Sequence, residues 1–138
     1  MDTHIISTTH SEGMVFNSSV NDHSVVTDSI TGNDTESKGP GPKRLMLVAL
    51  AGCTGIDVVS ILNKMKVVFT NFSIDTEATL TDQDPKIYSQ VRVSYKINLA
   101  ETDRPKMEKA VHLSVDKYCG VMAMFKTFAK VETEIIYL

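Results

Sequence analysis

The strongly nucleophilic side chains of this sequence are two thiols, Cys53 and Cys119. A thiolate attacks peroxides and disulfides, and two thiols that meet in space can hold a two-electron oxidation as a disulfide. The two are far apart in chain order, so their spacing is silent on contact. Cys53 lies in the middle of an apolar run, with Met46, Ala49, Leu50, Ile56, Asp57 and Ser60 at helical spacing around it. Taken alone it reads as a small buried hydrophobe, remote from the helix N-terminus that would acidify a thiol. Cys119 falls at a break between two expected helices, where unpaired backbone N–H groups favour an anion. That position suits a thiolate, and a buried helix-junction cysteine fits it equally well.

Asp57, one turn beyond Cys53, is unusual on so apolar a helix, because a carboxylate there needs a partner. It reads either as a polar lining of the thiol pocket or as a side chain hydrogen-bonded to a backbone group. The second is preferred, since its charge would raise a neighbouring thiol's pKa. The four histidines, His4, His10, His23 and His112, lack paired metal spacing, and neither a metal nor a cofactor is expected. The segment from Gly39 to Arg44 lacks the spacing of a phosphate loop. Of the seven methionines, Met46, Met65, Met122 and Met124 near the helices read as core filler.

These residues need elements to position them. Three short β runs, Thr3–Thr9, Met14–Ser19 and Ser24–Ile30, are separated by turn signals at Glu12-Gly13 and Asn21-Asp22. Residues 31–41, rich in Gly, Asp and Ser, are expected to form a mobile surface loop. Pro42 suits a first helical position, and the helix should run to Lys64 or Lys66. It is apolar almost all round, which predicts burial on several sides: against a sheet and against a second subunit. Gly52 and Gly55 weaken it by about 1 kcal/mol each relative to Ala, and close approach by another backbone or helix is their expected benefit. Two long strands follow, Val67–Thr81 and Lys86–Leu99. In the second, Ile87, Ser89, Val91, Val93, Tyr95 and Ile97 share one face. Helices over Arg104–Asp116 and Val121–Ala129 and a last strand over Val131–Leu138 complete a β-β-β-α-β-β-α-α-β order, an α+β class.

At 138 residues, 42% hydrophobic and 22% charged, the chain has the composition of one folded domain spanning residues 1–138. A formal net charge of −3, with scattered Lys and Arg, gives no case for nucleic acid. The start of the chain has no secretory pattern. The longest apolar run, Leu45–Ile56, is short of the roughly 20 residues a membrane span needs. No membrane partner is therefore expected, and a cytoplasmic setting with both cysteines reduced is.

The run Gly41-Pro42-Lys43-Arg44-Leu45 leading into Ala51-Gly52-Cys53-Thr54-Gly55-Ile56-Asp57-Val58-Val59-Ser60-Ile61-Leu62 resembles the first cysteine motif of the OsmC/Ohr family. Ala110-Val111-His112-Leu113-Ser114 through Lys117-Tyr118-Cys119-Gly120-Val121 resembles its second. Asp22 to Asp28 and the strand pair after the helix fit as well, so the resemblance spans nearly the whole chain. The Cys-Thr-Gly-Ile-Asp-Val-Val version is most similar to the YhfA-like branch. The resemblance implies an intertwined homodimer with a central helix and a site at the subunit interface. It also implies that Cys53 attacks an organic hydroperoxide, that Cys119 resolves the sulfenic acid, and that a dithiol reductant, lipoyl-linked in some members, restores both.

Two features depart from the family's peroxidase pattern. Lys43 stands where those members carry a glutamate after the proline, and an arginine from the N-terminal strands is absent: the arginines are Arg44, Arg92 and Arg104. Lys43 and Arg44 are the cations at hand to activate the thiol, though about ten positions, roughly 15 Å of helix, precede Cys53. The leading expectation is a thiol peroxidase-like protein selecting organic hydroperoxides. The alternatives are a weakly active or non-catalytic binding and stress protein, and a thiol redox sensor.

Overall fold

The computed structural model describes residues 1–29 and 36–138. These form two compact units, Met1–Met46 and Leu47–Leu138. The first is an antiparallel sheet of β1 (Ser7–His10), β2 (Phe16–Val20) and β3 (His23–Thr27), in that order. All three strands are shorter than their apolar runs suggest, because the register closes at Ser7–Ser19 and at Val20–His23. Residues 31–35 of the segment expected to be a mobile loop lie outside the described residues. Its described end is hydrogen-bonded to the strand before it. The Asp28 carboxylate accepts the Lys38 N–H at 2.9 Å, the Asp28 N–H donates to the Pro40 carbonyl at 3.1 Å, and Lys38 pairs with Glu12. Gly39 passes so close to the strand that a Cβ would lie 2.4 Å from the Val26 carbonyl oxygen. Only glycine fits there.

A 3-10 turn, Pro42–Arg44, leads into α1 (Leu45–Lys64), as the proline predicts. Within the second unit, β4 (Phe69–Leu80) and β5 (Tyr88–Leu99) run antiparallel. Next come α2 (Arg104–Leu113), a π-helical turn over Ser114–Tyr118 and α3 (Gly120–Lys126). This crossover returns the chain to lay β6 (Lys130–Tyr137) parallel to β5, giving sheet order β4-β5-β6. Among the described residues the architecture is α+β, with two sheets and three α-helices, as the element order predicts.

The core follows from the patterning. Val91, Val93, Tyr95 and Ile97 of β5 are buried, and so is the α1 stripe Leu50, Thr54, Val58 and Leu62, spaced by one turn. Met107, Met122 and Phe125 close the core from α2 and α3. Within one chain α1 is buried along its inward stripe. Its outward stripe leaves Val48 65% and Ile56 72% exposed, with Gly52 between them facing open space. Gly55 does answer a close approach, but of a side chain: a Cβ there would meet Ile74 Cδ1 at 3.1 Å. Met122 is core filler and Met65 packs against the core, whereas Met46 and Met124 are exposed.

Run together, the turn and α1 make a 23-residue helical segment, Pro42–Lys64, long and apolar enough by length and composition to cross a membrane. The shortness of the apolar run is thus no argument against a span. The argument is packing: the 50-54-58-62 stripe is built into a protein core, with two polar side chains of α1 bonded inside it.

Candidate functional site

Cys53 rides on α1, half-buried and packed against the core beside the inward stripe. Cys119 is the N-cap residue of α3, with only 3% of its surface exposed. Its position is set by the π turn. Where α2 would have continued to Asp116, the helix widens after Leu113, and the Cys119 N–H closes the wider turn on the Ser114 carbonyl at 2.9 Å. The chain then leaves the helical conformation at Cys119 (φ −75°, ψ 105°), which starts α3 and aims the side chain inward. The two thiols are neighbours: both are free, and Cys53 is among the groups that act on the Cys119 thiol.

The electrostatics differ from the expectation for a helix-start cysteine. The Met122 N–H does donate to Cys119 Sγ at 3.3 Å, and that bond lowers the thiol's pKa. Burial outweighs it. Desolvation first, then the neighbouring Cys53 and the Asp57 carboxylate push the Cys119 thiol up to about 11. Cys119 is therefore a protonated thiol at neutral pH, and in that state its S–H can donate to the sulfur of Cys53.

Asp57 turns out to bond to a side chain rather than to backbone: its Oδ2 accepts from the Ser114 hydroxyl at 2.9 Å. Ser114 also lies 2.8 Å from Thr54 Oγ1, which lies 2.7 Å from the Tyr95 hydroxyl. Thr54, Ser114 and Tyr95 were not among the residues singled out by sequence. The signal was present, however. Thr54 and Tyr95 occupy inward positions of an apolar stripe and an apolar strand face, where a hydroxyl must find a partner. Burial also raises Tyr95 to about 12, against a smaller lowering by Thr54, so its phenol keeps its proton.

Asp57 opens onto a cleft of about 540 Å³ of mixed lining, with Ile61, Met65 and Tyr118 beside Ser60, Lys64 and Lys109. Lys43 and Arg44, the cations expected to serve the thiol, are exposed residues of the 3-10 turn in the first unit. Among the described residues, no group of three His, Cys, Asp or Glu side chains is placed to hold a metal ion.

An α+β fold carrying a thiol on its central helix, facing a second thiol at a helix start, matches one family model, that of the OsmC-like proteins, over residues 32–134. The chain belongs to that family. Among its relatives, Protein YhfA of Escherichia coli K12 is 28% identical over 116 residues, covering 83% of this chain and 84% of YhfA. A hypothetical protein from Aquifex aeolicus VF5 superposes with a TM-score of 0.82 at 27% identity, covering 100% of this chain and 99% of its own. The organic hydroperoxide resistance protein OhrB of Bacillus subtilis shares the fold at a TM-score of 0.64 and 16% identity, with 97% and 98% covered.

Proposed function

We propose that Cys53 and Cys119 form a redox pair that reduces organic hydroperoxides in a stress response. Cys53, the less buried thiol, attacks as the thiolate on the terminal peroxide oxygen. The O–O bond breaks, an alcohol leaves after taking a proton, and Cys53 becomes a sulfenic acid. The Cys119 thiol then attacks that sulfur, its proton leaves with the hydroxyl as water, and a Cys53–Cys119 disulfide forms. A dithiol reductant, lipoyl-linked as the family resemblance implies, returns two electrons and two protons. The single observation that carries the reading is that Cys53 lies close enough to act on the Cys119 thiol. Family membership supports a stress or redox role, and the resistance function in the name of the Bacillus subtilis protein agrees with it. Cys53 packs against the hydrophobic core, an apolar setting that favours an organic substrate over hydrogen peroxide.

The whole chain, Met1–Leu138, acts as one domain in this reading, as a homodimer in the cytoplasm, where thiols rest reduced. The exposed Val48–Gly52–Ile56 stripe of α1 supplies an apolar face for the second copy. A second reading, a binding or stress-associated protein with little turnover, is favoured by one observation: Asp57, the carboxylate near the thiols, opposes a second negative charge. Reduced protein mixed with a modest excess of cumene hydroperoxide separates the two. Loss of both thiols within seconds, abolished by Cys53→Ser, is expected of the peroxidase. Loss no faster than for free cysteine would leave the binding protein.

A further inference from the structure

Four oxygens from three elements stand in series beside the thiols: Tyr95 of β5, Thr54 of α1, Ser114 at the start of the π turn, and Asp57 of α1. Counting protons fixes their direction. A carboxylate accepts only, so Ser114 commits its single hydroxyl proton to Asp57 at 2.9 Å. Its competing acceptor, the Thr54 carbonyl, is 3.5 Å away, at the limit of a hydrogen bond. Thr54 must then donate to Ser114, and Tyr95 must donate to Thr54. Every proton in the series points toward Asp57. Thr54, Ser114 and Tyr95 have no exposed surface, so water does not compete for these bonds.

The series joins the two backbones that carry sulfur. Thr54 follows Cys53 directly, and the Ser114 carbonyl holds the Cys119 N–H at 2.9 Å. The Thr54–Ser114 bond is thus the shortest bridge between the cysteine-bearing segments other than the sulfurs themselves. We propose that Tyr95, Thr54 and Ser114 are positioning residues: a one-way clamp of hydroxyls, anchored on Asp57, that holds Cys53 and Cys119 at pairing distance. This rests on the reading of the two thiols as a redox pair, and it assigns the residues that make them one. A disulfide tolerates only a narrow range of Cα separation, so a clamp that holds the π turn against α1 raises the effective concentration of one thiol at the other.

The test is exchange with oxidised dithiothreitol, which uses no peroxide. Two electrons and two protons pass from the protein thiols to the reagent, leaving a protein disulfide and reduced dithiothreitol. In the clamp account, Thr54→Val, similar in shape but without the hydroxyl, lowers the equilibrium constant for disulfide formation at least tenfold. Thr54→Ser, which keeps the hydroxyl and loses the methyl, returns it to within about twofold of wild type. Tyr95→Phe, which removes only the far donor, has a smaller effect than Thr54→Val. If Thr54→Val does not fold, Ser114→Ala against Ser114→Thr makes the same comparison. An unchanged constant in Thr54→Val overturns the clamp. So does Thr54→Ser being as impaired as Thr54→Val, since that would make the methyl's packing decisive. A wild type that exchanges normally but ignores cumene hydroperoxide would sink the peroxidase reading and leave the clamp standing. A wild type that forms no protein disulfide would overturn both.

Discussion

Cys119 gains more from burial in its protonated state than the helix start gives to its thiolate, and this fixes its part in any chemistry. A group whose pKa rises on folding stabilises the fold while it stays protonated. The unfolded thiol loses its proton near its ordinary 9.0, the folded one near 11, so stability falls as pH rises through that window and is fully present below it. Denaturant melts taken across this range should show the decline, and Cys119→Ser, which cannot titrate there, should flatten it. Tyr95 adds a similar loss at slightly higher pH, since its folded value of about 12 lies above its ordinary 10.0. Thr54→Val should cost on the order of 1–3 kcal/mol, because it strips partners from two buried hydroxyls. Chemical unfolding measures that directly, and a cost near zero would mean that the neighbours re-pair. At this scale the sequence was only partly legible. The cysteines and Asp57 could be picked out by type, but their meeting came through family resemblance, since chain order carries no distance. Asp57's partner was misjudged because a serine far along the chain leaves no mark on the local pattern.

The helices and strands were far more legible, because each reports its own periodicity. The alternation of β5 shows which face is buried, and the structure buries it, whereas α1, apolar almost all round in sequence, reveals its inward stripe only in the fold. What local pattern could not supply was the wide turn at Ser114–Tyr118, a helix irregularity that exists to bring Cys119 round. The same logic grades the cost of substitutions. Leu62→Ala on the inward stripe should lose about 2–5 kcal/mol, as large-to-small changes in cores do. Ile56→Ala on the outward stripe should lose far less in dilute protein. Gly39→Ala should destabilise the first unit, because the Val26 carbonyl is backbone and cannot step aside. Thermal melts of the three variants would rank them. Equal costs for Leu62→Ala and Ile56→Ala would contradict the assignment of the two faces.

One chain leaves α1 half covered, and that bears on the homodimer proposed above. Val48 and Ile56 lie on one stripe around Gly52, an exposed apolar strip whose centre is small enough for a second helix to approach. In the proposed homodimer, Ile56→Asp should shift the protein toward monomer in light scattering coupled to size-exclusion chromatography. Unchanged mass would place the second copy elsewhere. The central claim, that the sulfurs of Cys53 and Cys119 act as one redox unit, is tested most directly by peptide mapping after one equivalent of cumene hydroperoxide, with free thiols blocked. The account predicts a disulfide between the Cys53 and Cys119 peptides of the same chain. Cys53 carried on to sulfinic acid beside a free Cys119, or both thiols recovered untouched, would contradict it.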